Sequence, residues 1–273
     1  MSELTEALST IESALRSGFA FETPADRPLG GSLGGSPDRW PAVSPGTECR
    51  DSGEGASPAL SPAFSPEEEL AELKERVRVC QACALGQGRK NAVFGQGVLN
   101  PIVLVVGEGP GAEEDNRGLP FVGASGNLLD KMLASIGLSR EENCYIANVV
   151  KCRPPNNREP EPDERVRCMP YLRRQIRLLA PRVILCAGRT AAQALLSTSE
   201  GINRIRGKAY DYEGIPLIAT YHPSALLRDE TLKRPAWEDL KRLRALLERV
   251  PADLSPRRAP PGGSPGEAPG GGA

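Results

Sequence analysis

Residues 102–130, IVLVVGEGPGAEEDNRGLPFVGASGNLLD, constrain this chain more than any other segment. Ile102 to Val106 form an unbroken apolar run, which reads as a strand buried on both faces. The strand ends in a glycine-rich turn, Gly107-Glu108-Gly109-Pro110-Gly111, whose backbone can approach a ligand closely. An acidic patch (Glu113, Glu114, Asp115) follows, then Phe121 on a tight Val-Gly segment. No helix is expected until about Ser125, some fourteen residues after the turn. The other elements read as completing the pocket that this stretch begins.

Apolar strands alternate with helical patterns downstream. A helix start is written at Ser65-Pro66-Glu67-Glu68: Ser65 caps, Pro66 fits the first helical position, and Glu68 lies three residues after the cap. That helix turns Leu70, Leu73 and Val77 inward. Strands are predicted at 102–107, 144–150 (CYIANVV), 182–187 (RVILCA) and 216–220 (PLIAT), with helices at about 125–136, 162–179, 189–197 and 236–249. The segment KCRPPNNREPEP is too proline-rich for regular structure and reads as a loop. This order predicts an α/β fold, three-layer αβα, with a mainly parallel central four-stranded sheet. Ligands of such sheets sit beyond the carboxyl ends of the strands, where the glycine turn, Asn148 and His222 all fall.

Both ends differ in composition. Of the 45 residues 22–66, 22 are Pro, Gly or Ser, too few apolar groups to offset the entropy of ordering. The expected organisation is a disordered extension over 1–65, a folded domain over 66–250 and a disordered tail over 251–273. Residues 1–21 could form a short amphipathic helix through Leu4, Leu8, Ile11 and Leu15. Overall charge is near zero, but 66–250 carries 28 Lys and Arg against 24 Asp and Glu. Segment 151–182 alone has nine basic and four acidic residues, which suits a polyanion and equally a solvated face. No run approaches the roughly 18 apolar residues of a membrane span. No basic, then apolar, leader opens the chain, so a cytosolic setting is expected.

Seven cysteines in a reducing compartment suggest metal ligands or buried thiols rather than disulfides. Cys80 and Cys83 form a CxxC pair, and Cys152 and Cys168 lie far downstream with fifteen residues between them. Four thiolates suit zinc or an iron–sulfur cluster, and spacing alone leaves both open beside plain structural thiols. Cys49 falls in the N-terminal extension, while Cys144 and Cys186 read as small buried hydrophobes. The turn GEGPG is neither GxGxxG nor a P-loop. His222 is the only histidine, which excludes any mechanism needing two, and no GxSxG elbow is present. It ends a strand and opens HPSALLR, a setting that favours function over a stray polar group.

Taken together, GEGPGAEED, PFVGASGNLLD, NVVKCRPPNNREP, the cysteine before PYLRRQIRLLAP, and YHPSALLR resemble the family 4 uracil-DNA glycosylases, the iron–sulfur branch of their superfamily. The similarity covers roughly 67–250 and leaves both ends out. It implies a 4Fe–4S cluster held by Cys80, Cys83, Cys152 and Cys168 and serving structure rather than redox chemistry. It also implies a flipped uracil stacked on Phe121, read at its edge by Asn148, and crowded at the 5-position by Glu114. His222 would hydrogen-bond the 2-oxygen and stabilise the charge developing there. Leu226, Leu227 and Arg228 would form a wedge entering the duplex, and 151–182 would face phosphates. Gly109 stands where the best-known branch of the superfamily has an aspartate, leaving Glu108 as a candidate for orienting water. The resemblance further implies uracil-containing DNA, single- or double-stranded, as partner, a monomer, and a bacterial or archaeal cytosol. The N-terminal arm could engage a partner of its own. A non-catalytic nucleic-acid-binding or redox-sensing iron–sulfur protein on this fold is the alternative, and a zinc-stabilised esterase-like enzyme a third.

Overall fold

The four predicted strands form the middle of the sheet. A computed structural model describes residues 65–250; the predicted end segments, including the 1–21 helix and Cys49, lie outside the described residues. Helices α1 (Pro66–Arg78) and α2 (Leu85–Gly88) precede strands β1 (Gln96–Gly97) and β2 (Val103–Gly107). Next come α3 (Ala112–Arg117), α4 (Ala124–Ala134), β3 (Cys144–Asn148), α5 (Pro162–Leu179) and β4 (Val183–Ala187). After these lie α6 (Arg189–Leu196), α7 (Ile202–Ile205), β5 (Ala209–Tyr212), β6 (Ile215–Thr220), α8 (Pro223–Arg228) and α9 (Lys233–Arg249).

The sheet has six strands, not four, in the order β1-β3-β2-β4-β6-β5. The central β3, β2, β4 and β6 run parallel, while β1 on β3 and β5 on β6 are antiparallel edges. Each missed edge has a physical reason. β1 is two residues long and offers no period to read. β5 and β6 are joined by Glu213-Gly214, both at positive φ (51° and 85°), which is the two-residue turn of a tight hairpin. Its Glu-Gly sequence lacks the usual Asn-Gly or Asp-Gly signature.

Alternation along the strands divides the core into two layers. Leu104, Val106, Ile184, Cys186 and Leu217 face one side with Leu73 and Val77 of α1 and Leu172 and Ile176 of α5. Val103, Val105, Ile146, Leu185 and Ile218 face the other, against Leu129 and Leu133 of α4 and Leu240 and Leu243 of α9. Cys144 and Cys186 are fully buried, and burial pushes both thiols up, Cys144 to about 12. The α1 cap is as written in the sequence: Glu68 N–H donates to Ser65 Oγ (3.2 Å) and Ser65 N–H donates to Glu68 Oε2 (2.7 Å).

Leu133 is fully buried, and Leu133→Ala removes its methyl groups from a packed layer. The expected cost is about 2–5 kcal/mol by urea unfolding. Ser65→Ala removes only an exposed cap and should cost much less, so equal losses would contradict this picture of the core.

Candidate active site

A cavity of about 560 Å³ opens beyond the carboxyl ends of β2, β3 and β6. Its floor depends on missing side-chain atoms. A β-carbon on Gly107 would lie 2.4 Å from Asn148 Oδ1 and 2.6 Å from the Phe121 ring. One on Gly109 would lie 2.7 Å from Val150 Cγ2. The glycine turn is therefore needed for close approach of the protein's own side chains, where the sequence suggested a ligand.

The chain does not stay irregular after the turn. α3 begins at Ala112, directly behind Gly111, so the predicted wait until Ser125 was wrong and the acidic patch is helical. Its sequence AEEDNR has no apolar period to betray it. Within it, Glu114 clamps the surrounding backbone. Oε2 accepts from Gly111 N–H (3.1 Å), and Oε1 accepts from Val122 N–H (3.0 Å) and Gly123 N–H (3.2 Å).

Phe121 is buried at a positive φ of 50°, a strained setting for a bulky residue. Buried Arg140 holds it there, donating to Pro120 O (2.9 Å) and Phe121 O (2.9 Å) while Asp130 Oδ1 anchors the guanidinium at 2.7 Å. A β-carbon at Gly126 would strike Phe121 O at 1.9 Å, so α4 also packs directly on this carbonyl. The Phe121 ring lies 5.6 Å from the His222 ring, centroid to centroid, tilted by 32°.

Asn148 ends β3, is 2 % exposed and lines the cavity. Its Oδ1 has no hydrogen-bond partner among the described residues. An orphaned buried acceptor is costly unless something else satisfies it.

His222 ends the β6 exit and caps α8. Its Nδ1 accepts from Ser224 N–H at 3.1 Å and contacts Ser224 Oγ at 2.8 Å. A backbone N–H can only donate, so Nδ1 must be the acceptor and the ring proton sits on Nε2. Burial first, then the positive charge of Arg228, push the imidazole down to about 4, with Glu114 opposing. The ring is therefore neutral near pH 7 and is still a donor. Gly188, at φ 102°, backs onto it, where a β-carbon would meet His222 Cβ at 2.9 Å. The strand end itself is fixed by Thr220 Oγ1, which donates to fully buried Asp239 (2.9 Å), an ion-pair partner of Arg206 (2.9 Å).

Glu108 also lines the cavity and accepts from Thr190 Oγ1 at 2.5 Å. The predicted wedge needs correcting. Leu226 is 2 % exposed and packs into the layer with α4 and α9, so it is core and cannot enter a duplex. Leu227 is 49 % exposed, and exposed Arg228 lines the cavity mouth. Of the nine basic residues of 151–182, five are buried or ion-paired. Lys151 is buried, and Arg158, Arg165, Arg167 and Arg174 are paired with Glu164, Glu159, Asp163 and Glu69. Arg140, Thr190, Ser224 and Gly188 were not foreseen, and nothing in their local sequence marks them.

The four cysteines singled out by spacing do converge. Cys80 and Cys83 follow α1, Cys152 follows β3, and Cys168 sits on α5; all four line a second, small cavity. Among the described residues no three His, Cys, Asp or Glu side chains are gathered as a site for a single metal ion. The surroundings nonetheless suit anionic sulfur. Ala82 N–H donates to Cys80 Sγ (3.5 Å), Lys151 N–H to Cys168 Sγ (3.3 Å) and Arg89 Nη1 to Cys152 Sγ (2.8 Å). Burial pushes the Cys168 thiol up to about 12, against the pull of Lys151, and pushes the Cys152 thiol up as well, so without a metal these two stay protonated. A metal centre would replace those protons and use the donors already in place.

Comparison with known proteins agrees with this geometry. Residues 94–241 match the Uracil DNA glycosylase superfamily. A type-4 uracil-DNA glycosylase of Sulfurisphaera tokodaii is 43 % identical over 188 residues, 66 % of this chain and 85 % of that protein. Those of Archaeoglobus fulgidus and Thermotoga maritima are also 43 % identical, over 64 % and 67 % of this chain and 92 % and 97 % of their own lengths. The chain belongs to the uracil-DNA glycosylase superfamily, among its type-4 members.

Proposed function

We propose that this protein excises uracil from DNA, hydrolysing the N-glycosidic bond and leaving an abasic site. The orphaned Oδ1 of Asn148 carries the reading. Uracil presents an N3–H donor beside its 4-oxygen, so one carboxamide can accept from the first and donate to the second. Cytosine reverses both groups, which would leave the amide and base mismatched if the amide keeps its orientation.

The other side chains take complementary parts. Phe121, fixed by Arg140 and Gly126, would stack on the extruded base. Glu114, held by three backbone N–H groups, cannot swing aside and would deny space to a thymine methyl. As the glycosidic bond lengthens, electrons move onto the base, and charge collects on the 2-oxygen. The Nε2–H of neutral His222 would meet that oxygen, so stabilisation grows toward the transition state. Glu108, steadied by Thr190, would orient the water that completes hydrolysis. Leu227 and Arg228 would fill the gap left in the duplex.

Cys80, Cys83, Cys152 and Cys168 would hold a 4Fe–4S cluster, which the four-sulfur set and its N–H donors fit. The cluster supplies a structural clamp between α1, the β3 exit and α5, and no step of the hydrolysis passes through it.

An oligonucleotide with one uracil tests the reading. Strand scission should need alkali after incubation with protein, and His222→Ala and Asn148→Ala should each lower kcat by about 10²–10³-fold. Full activity in both variants would refute the assignment. The pH profile gives a second test. Because the folded imidazole titrates near 4 rather than 6.5, kcat should show no inflection at 6.5 and should change only toward 4, where a proton on Nδ1 breaks the bond from Ser224 N–H. Finally, protein as isolated should be brown and contain iron and acid-labile sulfide, and Cys168→Ser should lose both. Colourless, zinc-loaded wild type would argue against the cluster.

A further inference from the structure

Lys151 has no part in the chemistry above, yet its side chain is 1 % exposed. It lies on the short exit from β3, between Asn148 and Cys152. Its Nζ donates to Asn148 O at 2.8 Å and to Gln175 Oε1 at 2.5 Å. Gln175, itself fully buried, donates from Nε2 to Phe94 O at 2.9 Å. Neither acceptor of the ammonium carries a charge. A buried cation with only neutral partners is unfavourable, and the groups lining its cavity that a metal would make anionic are sulfurs. Lys151 lines the same small cavity as Cys80, Cys83, Cys152 and Cys168, and its own backbone N–H donates to Cys168 Sγ at 3.3 Å.

The other end of the link is the base-reading amide. Asn148 is the last residue of β3, and the next residue, Val149, returns its N–H to Gly107 O at 2.9 Å. Without the ammonium, Asn148 O would lack the donor it has here. That carbonyl and the Val149 N–H belong to one planar peptide unit, which is thus held by Gly107 on one side and by Lys151 on the other.

We propose that Lys151 is a positioning residue, whose ammonium is balanced by metal-bound thiolates and holds the main chain of Asn148 in the orientation that reads uracil. This rests on the glycosylase and cluster reading above. It gives the metal centre an influence on the pocket without any electron transfer in the reaction. Gln175 is the second support, keeping the ammonium aimed at the carbonyl.

The test uses full-length, iron-loaded protein and the variants K151M and Q175L. Wild type is measured first: if it lacks iron or leaves uracil in place, the parent reading fails and this one falls with it. With wild type active, K151M should keep near-normal KM for uracil-containing DNA and lose about 10–100-fold in kcat. Its cluster reduction potential should move negative, because a cation beside the cluster is gone. Q175L should also lose kcat at unchanged KM, but with its potential unmoved, since the charge remains. Wild-type kcat and potential in K151M would overturn the assignment, as would a fall in kcat without a shift in potential. If K151M loads no iron, Q175L decides: a kcat equal to wild type overturns the positioning role, and a fall at intact iron content supports it.

Discussion

A β-carbon on Gly107 would collide with Asn148 Oδ1 and with the Phe121 ring at once, and the cavity exists in its present form because that atom is missing. Three chain segments distant in sequence converge on this one point: the end of β2, the end of β3 and the loop ahead of α4. Parallel strands bring their carboxyl ends together by topology alone. Topology does not, however, bring an amide and an aromatic ring within contact of a main chain. That needs the smallest residue at the centre and rigid supports on either side.

Those supports are polar groups, Arg140 and Asp239 buried and Glu114 half-buried, and they share a logic. Arg140 fixes the two carbonyls around Phe121, Glu114 gathers three N–H groups, and Asp239 ties Thr220 to Arg206 behind His222. Each is hydrogen-bonded by neighbours that belong to the site's framework. The cavity is thus lined by residues whose rotamers are set before any ligand arrives. Such preorganisation matters for a reaction driven by stabilising charge on a leaving group, because donors already in place cost nothing to reorient.

What could be read from the sequence follows the same division. Continuous apolar runs revealed β2, β3, β4 and β6, and proline plus two acids revealed the start of α5 to the residue. Cys80 and Cys83 stood out as a CxxC pair with Cys152 and Cys168 downstream, and His222 stood out as the sole histidine. Short elements escaped. α3 is polar throughout, β1 is two residues long, and the β5–β6 turn uses Glu-Gly. Adjacent leucines were also indistinguishable: in a six-residue helix only one of Leu226 and Leu227 can face the core, and composition does not say which. Arg140 and Lys151 were invisible for a deeper reason, since the rule that sends charges to the surface is the rule they break.

The capping of α8 by His222 has a mechanical consequence. The imidazole, the exposed Leu227 and Arg228 all belong to one short helix whose underside, Leu226, is locked into the core layer. On the proposed reading the donor and the exposed tip would therefore shift together about Leu226. A duplex that resists the tip would therefore also hold the donor back from the base. On the proposed reading the yielding of the base stack and the readiness of the chemistry would be gauged by a single rigid body.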